Sequence, residues 1–275
     1  MALVPFPNQV PDPASADEDD DSEWPGDSGG KMSFLEHLDE LRKRIIWSAA
    51  SIGIGFVIAW VFITPVFDFV MKPLADALPA GSSLVFTEPT ESFSLYIQIA
   101  ALTGLLMASP VIMSQVWLFI APGLYVHEKR MAIPFVILTS ACFVAGAAFS
   151  HYVIFPQMWR FFISFTADYV EFMPRIAPAF GLYIKMLLAF GLVFQMPPLV
   201  LFLARMGVVT ARFLLKSFKY AVFLIFIVSA VITPSGDVFN QTIVALPMIG
   251  LYLISILLAW IFGKKRKAEA DDLAD

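Results

Sequence analysis

The sequence predicts an all-α polytopic membrane protein with six transmembrane helices. Of its 275 residues, 59% are hydrophobic and only 15% are charged, whereas soluble domains have ~25% charged and ~45–50% apolar residues. An apolar run of ~18 residues that avoids charge is a candidate membrane span. The candidate runs are Ile45–Thr64, Ser92–Val116, Met131–Phe155, Ala179–Ala204, Tyr220–Thr233 and Val238–Gly263.

The fifth run predicts an unusually short helix. Tyr220–Thr233 has 14 residues and is followed by Pro234. At a rise of ~1.5 Å per residue it reaches only ~21 Å, whereas the hydrocarbon core of a bilayer is ~30 Å thick. A helix of this length requires thinning of the bilayer or association with other helices.

The distribution of Lys and Arg predicts that both termini lie in the cytoplasm. Cytoplasmic loops of membrane proteins carry an excess of these residues. With the N-terminus inside, the inner segments hold fourteen Lys and Arg, and the outer segments hold only Lys72, Arg160 and Arg175. Lys185 lies within the fourth run.

Three regions are expected along the chain. Residues 1–31 form a Pro-, Asp- and Gly-rich acidic tail, whose composition cannot bury enough apolar surface to become ordered. This tail lacks a basic start followed by an apolar core, so no cleaved signal peptide is expected. Residues 32–263 are expected to form the membrane domain, and residues 264–275 a basic and then acidic cytoplasmic tail.

No motif in the sequence indicates an enzyme. A nucleotide-binding glycine loop, an HExxH motif and a paired-cysteine metal site do not occur, and Cys142 is the single cysteine. The six predicted spans lack Asp and Glu, whereas ion-coupled carriers usually keep an intramembrane carboxylate. We therefore predict no catalytic residue, cofactor, metal or nucleic-acid partner, and we expect the polar contacts of the protein at the membrane faces.

The stretch SFLEHLDELRKR, residues 33–44, predicts an amphipathic helix before the first span. Its apolar residues recur at three and four positions, and Ser33 with Glu36 makes a capping box. Glu36 and Glu40 lie four residues apart on one face. One interpretation is a membrane-surface helix whose basic residues set the topology; the other is a surface whose acids bind a basic ligand.

The stretch QVWLFIAPGLYVHEKR, residues 115–130, is an aromatic and charged connector between two apolar runs. Glu128 is the only acid on the predicted cytoplasmic connectors between spans. It lies beside aromatic residues, which favour the membrane interface. Glu128 either offsets the adjacent Lys129 and Arg130 or accepts hydrogen bonds from a basic ligand.

These motifs and their order resemble the TatC family, the multispanning core subunit of the twin-arginine protein translocase. The resemblance rests on SFLEHLDELRKR, on SPVIMSQVWLFIAPGLYVHEKR, on LLAFGLVFQMP and on TPSGDVFNQ with ALPM. It implies a curved, cupped arrangement of the six helices rather than a closed pore. It also implies export driven by the proton-motive force. The implied partners are twin-arginine signal peptides of folded precursors, single-span TatA/TatB-type subunits, further copies of the chain and membrane lipid.

The resemblance implies a signal-peptide site on the cytoplasmic face. By position, its carboxylates are Glu40 and Glu128, and the same loop motif contributes Phe119, Pro122, Leu124 and Tyr125. The chemistry agrees, because the planar fork of an arginine side chain matches a carboxylate in a bidentate manner and a lysine side chain does not.

Three further residues are candidates for contact with partner helices. Gln195 stands where many relatives have Glu, so it can donate a hydrogen bond but cannot carry charge. The other two candidates are Glu88 and Glu91 in FTEPTESF. Ordinary hydrogen bonding between helices of the chain is the alternative for Gln195, and helix capping is the alternative for the two acids.

Two other functions are weighed against a translocase subunit. A secondary transporter of a small solute predicts polar groups at the bilayer midplane and usually an internal repeat. A membrane enzyme predicts a catalytic cluster. The sequence shows none of these features.

Overall fold

The computed structural model describes residues 34–78, 84–120, 132–165, 173–233 and 237–263. The chain divides into two units, Met1–Asp39 and Glu40–Asp275, and the packing below is that of the second unit. The described ranges contain α-helices and one isolated β-bridge, between Val85 and Arg175. The helices are α1 (Phe34–Val61), α2 (Ile63–Ala77), α3 (Pro89–Ile120), α4 (Ala132–Phe149), α5 (Phe155–Ile163), α6 (Ile176–Val193), α7 (Met196–Met206), α8 (Ala211–Lys216), α9 (Phe218–Ile232) and α10 (Val238–Phe262).

The helices confirm the predicted class of an all-α polytopic membrane protein. Five helical stretches are long and apolar enough to cross a bilayer, and α9 is a shorter apolar helix. The predicted short fifth span is thus confirmed, because α9 has 15 residues. The five long stretches are Leu35–Val61, Pro89–Phe119, Ile133–Ile163, Ile176–Met206 and Val238–Phe262.

Two of the spans are interrupted in ways that the apolar patterns did not indicate. The fourth span consists of α6 and α7, which are separated at Phe194 and Gln195. Pro197 and Pro198 lie in the first turn of α7 and lack the amide hydrogens that a continuous helix requires. In the third span, a π-helical turn at Ser150–Ile154 joins α4 to α5. The helical stretch therefore extends to Ile163, eight residues beyond the run read from the sequence.

Helix α6 is central to the apolar core. Met186 and Phe190 are buried in a cluster with residues of α7, α9 and α10. Phe180 and Leu187 are buried in a second cluster with residues of α2, α3 and α5. One helix therefore connects the two halves of the core.

Glycines allow close crossings between helices. A Cβ atom on Gly55 of α1 would lie 2.6 Å from the carbonyl oxygen of Gly104 on α3. A Cβ atom on Gly146 of α4 would collide with the backbone at Phe190 of α6. Since lipid tails are as apolar as the side chains, backbone approach of this kind is a main source of helix association in membranes.

Polar side chains join α9 to α10. Ser229 donates a hydrogen bond to the carbonyl of Gln241 at 2.5 Å. Gln241 in turn donates through Nε2 to the carbonyl of Phe226 at 2.8 Å. The short helix is thus held to its longer neighbour by two bonds to main-chain carbonyls.

Candidate functional site

Glu40 belongs to a polar network that connects α1 and α3. Arg44, one turn further along α1, donates from Nη2 to Glu40 Oε1 at 2.9 Å. Its Nη1 atom donates to Oε1 of Gln115 near the end of α3 at 3.3 Å. The side chains of Arg44 and Glu40 are only 28% and 17% exposed. The predicted acid is therefore held in place by a guanidinium group of the chain itself.

The network leaves part of its hydrogen-bonding capacity unused. Glu40 Oε2 and Arg44 Nε are buried, and neither atom has a hydrogen-bond partner in the described part of the chain. A buried polar atom without a partner costs ~1–3 kcal/mol, and more when it is charged. Glu40 thus retains an acceptor for one further donor.

Aromatic packing fixes the end of α3 next to this network. Trp117 is buried, with its ring centroid 4.4 Å from that of Phe135 on α4 and 4.9 Å from that of Phe202 on α7. Phe119 lies two residues further on and is half-buried. The cluster of Trp117, Phe135 and Phe202 therefore holds three helix segments together where the 115–130 connector departs.

Four residues of the predicted signal-peptide-binding site lie outside the described residues. They are Pro122, Leu124, Tyr125 and Glu128. The described chain ends at Ile120 of α3 and resumes at Ala132 of α4, and these two helices pack against each other. Of the six predicted residues, Glu40 and Phe119 are described, and the role of all six stays a prediction.

Gln195 makes a hydrogen bond within the chain. Its Nε2 atom donates to the main-chain carbonyl of Thr139 on α4 at 2.9 Å. It lies at the break between α6 and α7, where the side chain reaches the neighbouring span. This bond within the chain is the alternative expected for Gln195, and contact with a partner helix stays a prediction.

Glu91, in the first turn of α3, makes hydrogen bonds with two connectors, at Thr87 and at Arg175. Its Oε1 atom accepts a hydrogen bond from Nη2 of Arg175 at 2.8 Å, and its Oε2 atom accepts one from the amide of Thr87 at 2.9 Å. The Glu91 side chain is 7% exposed, and the Val85–Arg175 bridge lies beside it. Glu88 is exposed, so of the two acids it has the more accessible carboxylate.

Arg44 and Gln115 are site residues that the motif reading did not single out. The distribution of basic residues indicates Arg44 only as a residue that sets the topology. The spacing of Glu40 and Arg44 at i and i+4 is a sequence signal for their ion pair. The contact with Gln115 spans 71 residues and has no comparable local signal.

The described helices define a polytopic α-helical membrane protein. Within the described residues, no group of three or more His, Cys, Asp or Glu side chains could hold a metal ion. The family model for the Sec-independent protein translocase protein TatC matches residues 36–247. The chain therefore belongs to the TatC family.

Curated relatives and solved structures agree with this assignment. The chain is 42% identical to the Sec-independent protein translocase protein TatC of Desulforapulum autotrophicum, over 89% of this chain and 90% of the relative. It is 41% identical to the protein of the same name from Koribacter versatilis, over 86% of this chain and 88% of the relative. A crystal structure of a twin arginine translocase receptor TatC superposes with a TM-score of 0.72, at 35% identity, over 82% of this chain and 98% of that one.

Membership of the family defines the general role of the chain. It is a component of a protein translocase, and thus a transport protein rather than an enzyme. It is a multi-pass protein of the bacterial inner membrane. The family assignment decides against the alternative of a small-solute transporter.

Proposed function

We propose that this chain binds the twin-arginine signal peptides of folded precursor proteins at its cytoplasmic face. Glu40 and Glu128 each accept hydrogen bonds from one arginine of the pair. Phe119, Pro122, Leu124 and Tyr125 hold the apolar flank of the peptide. Bound peptide then favours the assembly of single-span TatA/TatB-type subunits, and the proton-motive force drives export.

The hydrogen bonding of the Glu40 carboxylate is the observation that supports this proposal. One carboxylate oxygen is held by Arg44, and the other is buried without a partner in the described residues. A peptide arginine would supply the missing donor and could also replace Arg44 at the first oxygen. Guanidinium groups bind carboxylates through two parallel hydrogen bonds, so an arginine gains more at this carboxylate than a lysine does.

The orientation of the chain is part of the proposal. Both termini lie in the cytoplasm, because fourteen of the Lys and Arg residues then lie inside and three outside. The Glu40 network and the 115–130 connector are then at the cytoplasmic surface. The ion pair of Glu91 with Arg175 is at the opposite face, where the exposed Glu88, beside the buried Glu91, contacts partner subunits or a neighbouring copy. Gln195 contacts a partner helix within the membrane.

Binding of signal peptides to purified protein tests the proposal. We expect Glu40→Gln and Glu128→Gln each to weaken binding of an Arg-Arg peptide by about tenfold or more, since a hydrogen bond to a charged group contributes ~1.5–3 kcal/mol. A Lys-Lys peptide should bind weakly to the wild type and to both glutamate variants. Asp68→Asn is the matched control, because Asp68 is an exposed acid on α2. Unchanged Arg-Arg binding in both glutamate variants would rule out the site.

A further inference from the structure

A second candidate site, formed around α2, the π-helical turn and α5, includes no residue of the Glu40 network. Two cavities adjoin there, and both are lined by Phe69 of α2 and by His151 and Tyr152 of the π-helical turn. The first has a volume of about 370 Å³ and is lined by Lys72, Asp76 and Arg160 as well. The second has a volume of about 430 Å³. Cavities of ~300–1,000 Å³ are typical of small-molecule sites.

The two cavities differ in chemistry. Apart from His151 and the two tyrosines, Tyr152 and Tyr183, nearly all of the second cavity is apolar, with Leu102, Leu106 and Val144 among its lining residues. These residues belong to α3 and α4, well inside the membrane-spanning stretches. The first cavity lies towards the connectors and carries the charged groups. A ligand that filled both would have an anionic end and an apolar end.

The charged groups of the first cavity are available to a ligand. Lys72 and Arg160 are exposed, and among the described residues neither side chain has an ion-pair partner. Asp76 lies four residues after Lys72 on α2, yet the two do not pair within the described chain. Two cations and one anion leave a net charge of +1, which is the complement of a singly charged phosphate.

The aromatic residues between the cavities are held in place by the chain. His151 Nδ1 lies 2.9 Å from the hydroxyl oxygen of Tyr183, and its ring stacks on Phe69 with centroids 4.6 Å apart. His151 is buried. The π-helical turn thus presents its side chains at the junction of the two cavities, and such turns occur frequently at functional sites.

We propose that these cavities bind one phospholipid with a singly anionic head group, such as phosphatidylglycerol. Its phosphate lies between Lys72 and Arg160, and one acyl chain enters the apolar cavity past Phe69 and Tyr152. Lys and Arg side chains form charge-assisted hydrogen bonds with phosphate oxygens. The lipid belongs to the outer leaflet in the orientation proposed above. The site does not involve Glu40 or the signal peptide, so either proposal can fail without the other.

Native mass spectrometry of the full-length protein in detergent tests this site. Palmitoyl-oleoyl phosphatidylglycerol should bind with one high-affinity molecule per chain. The double variant Lys72→Gln/Arg160→Gln should bind it about tenfold or more weakly, because charge-assisted hydrogen bonds to the phosphate are lost. The double variant Lys185→Gln/Arg212→Gln removes the same two residue types from exposed positions outside the cavities and should bind like the wild type.

Two further measurements test separately how the phosphate head group and the acyl chain contribute to binding. Diacylglycerol with the same chains should bind about tenfold or more weakly than phosphatidylglycerol, and inorganic phosphate should not displace the lipid. Ala148→Phe fills the apolar cavity and should also weaken lipid binding, whereas Ala141→Phe on the exposed side of α4 should not. Equal binding by wild type and Lys72→Gln/Arg160→Gln would overturn the proposal, as would displacement by phosphate or equal binding of diacylglycerol.

Discussion

Arg44 donates to one oxygen of the carboxylate that is proposed to bind a signal-peptide arginine. Its guanidinium donates hydrogen bonds to Glu40 and to Gln115. The negative charge of Glu40 is therefore partly offset by the positive charge of Arg44 before any ligand binds. The proposed peptide must either add to this arrangement through Glu40 Oε2 or exchange with Arg44. Both routes make Arg44 a determinant of affinity, although it is not itself an acceptor for the peptide.

Removing Arg44 should therefore strengthen peptide binding. We expect Arg44→Gln to bind an Arg-Arg peptide about two- to fivefold more tightly, since partly exposed ion pairs are worth ~0.2–1 kcal/mol. Arg42→Gln is the control, because Arg42 is an exposed basic residue on the same helix and its loss changes the net charge equally. The measurement is peptide affinity by fluorescence anisotropy. Weaker binding of Arg44→Gln than of Arg42→Gln would show that Arg44 positions Glu40 and does not compete for it.

Among the elements, the crossing of α1 and α3 depends on two glycines. An added Cβ on Gly55 meets the backbone of Gly104, so a flexible side chain cannot move aside to relieve the contact. Gly53, two residues earlier on α1, has open space around the position of a Cβ. The two positions differ in packing but share a helix and a residue type.

Alanine at Gly53 and at Gly55 should have different effects on stability. We expect Gly55→Ala to destabilise the protein by ~1–3 kcal/mol, the usual cost of overpacking. Gly53→Ala should leave stability unchanged or raise it by up to ~1 kcal/mol, because alanine favours a helix more than glycine does. Thermal unfolding in detergent measures both. Equal midpoints for the two variants would mean that the close crossing is not a stabilising contact.

The short length of α9 affects how this helix fits the bilayer. Its 15 residues reach about 22 Å, so the bilayer beside it must thin or the helix must associate with others. Four leucines inserted after Ile232 would bring it to ~28 Å. If the short helix thins the membrane for cargo, we expect this insertion to lower export of a twin-arginine reporter several-fold. The same insertion after Phe262 of the longer α10 is the control, and normal export by the α9 variant would contradict the idea.

The sequence predicted the elements better than their interruptions. Apolar runs sufficed for the helical spans and for the short α9, because length and lack of charge are local properties. The π-helical turn at Ser150–Ile154 and the contact of Gln195 with Thr139 were not predictable in this way. The Gln195 contact depends on which helices become neighbours, and the apolar run continues unchanged through the π-helical turn. Glu40 was recognisable from its motif, whereas its link to Gln115 depends on the packing of α1 against α3.

At the scale of the whole molecule, the proposed orientation can be measured by labelling. Cys142 is the single cysteine, so Cys142→Ser gives a cysteine-free background. In that background, Asp68→Cys should react with a membrane-impermeant maleimide in intact cells, because Asp68 is exposed on the side proposed to be outside. Lys216→Cys, on the side proposed to be cytoplasmic, should react only after the cells are opened. The reverse pattern would place the Glu40 network outside and refute the proposed function.

The hydrogen bond of Gln195 has a consequence for genetics. Its acceptor is the main-chain carbonyl of Thr139, which every amino acid possesses. Changing residue 139 therefore cannot remove the acceptor, and no replacement there can restore a donor that Gln195 has lost. Because Thr139 is itself buried, small replacements such as Thr139→Ser and Thr139→Ala should keep this bond, whereas Gln195→Leu should lose it.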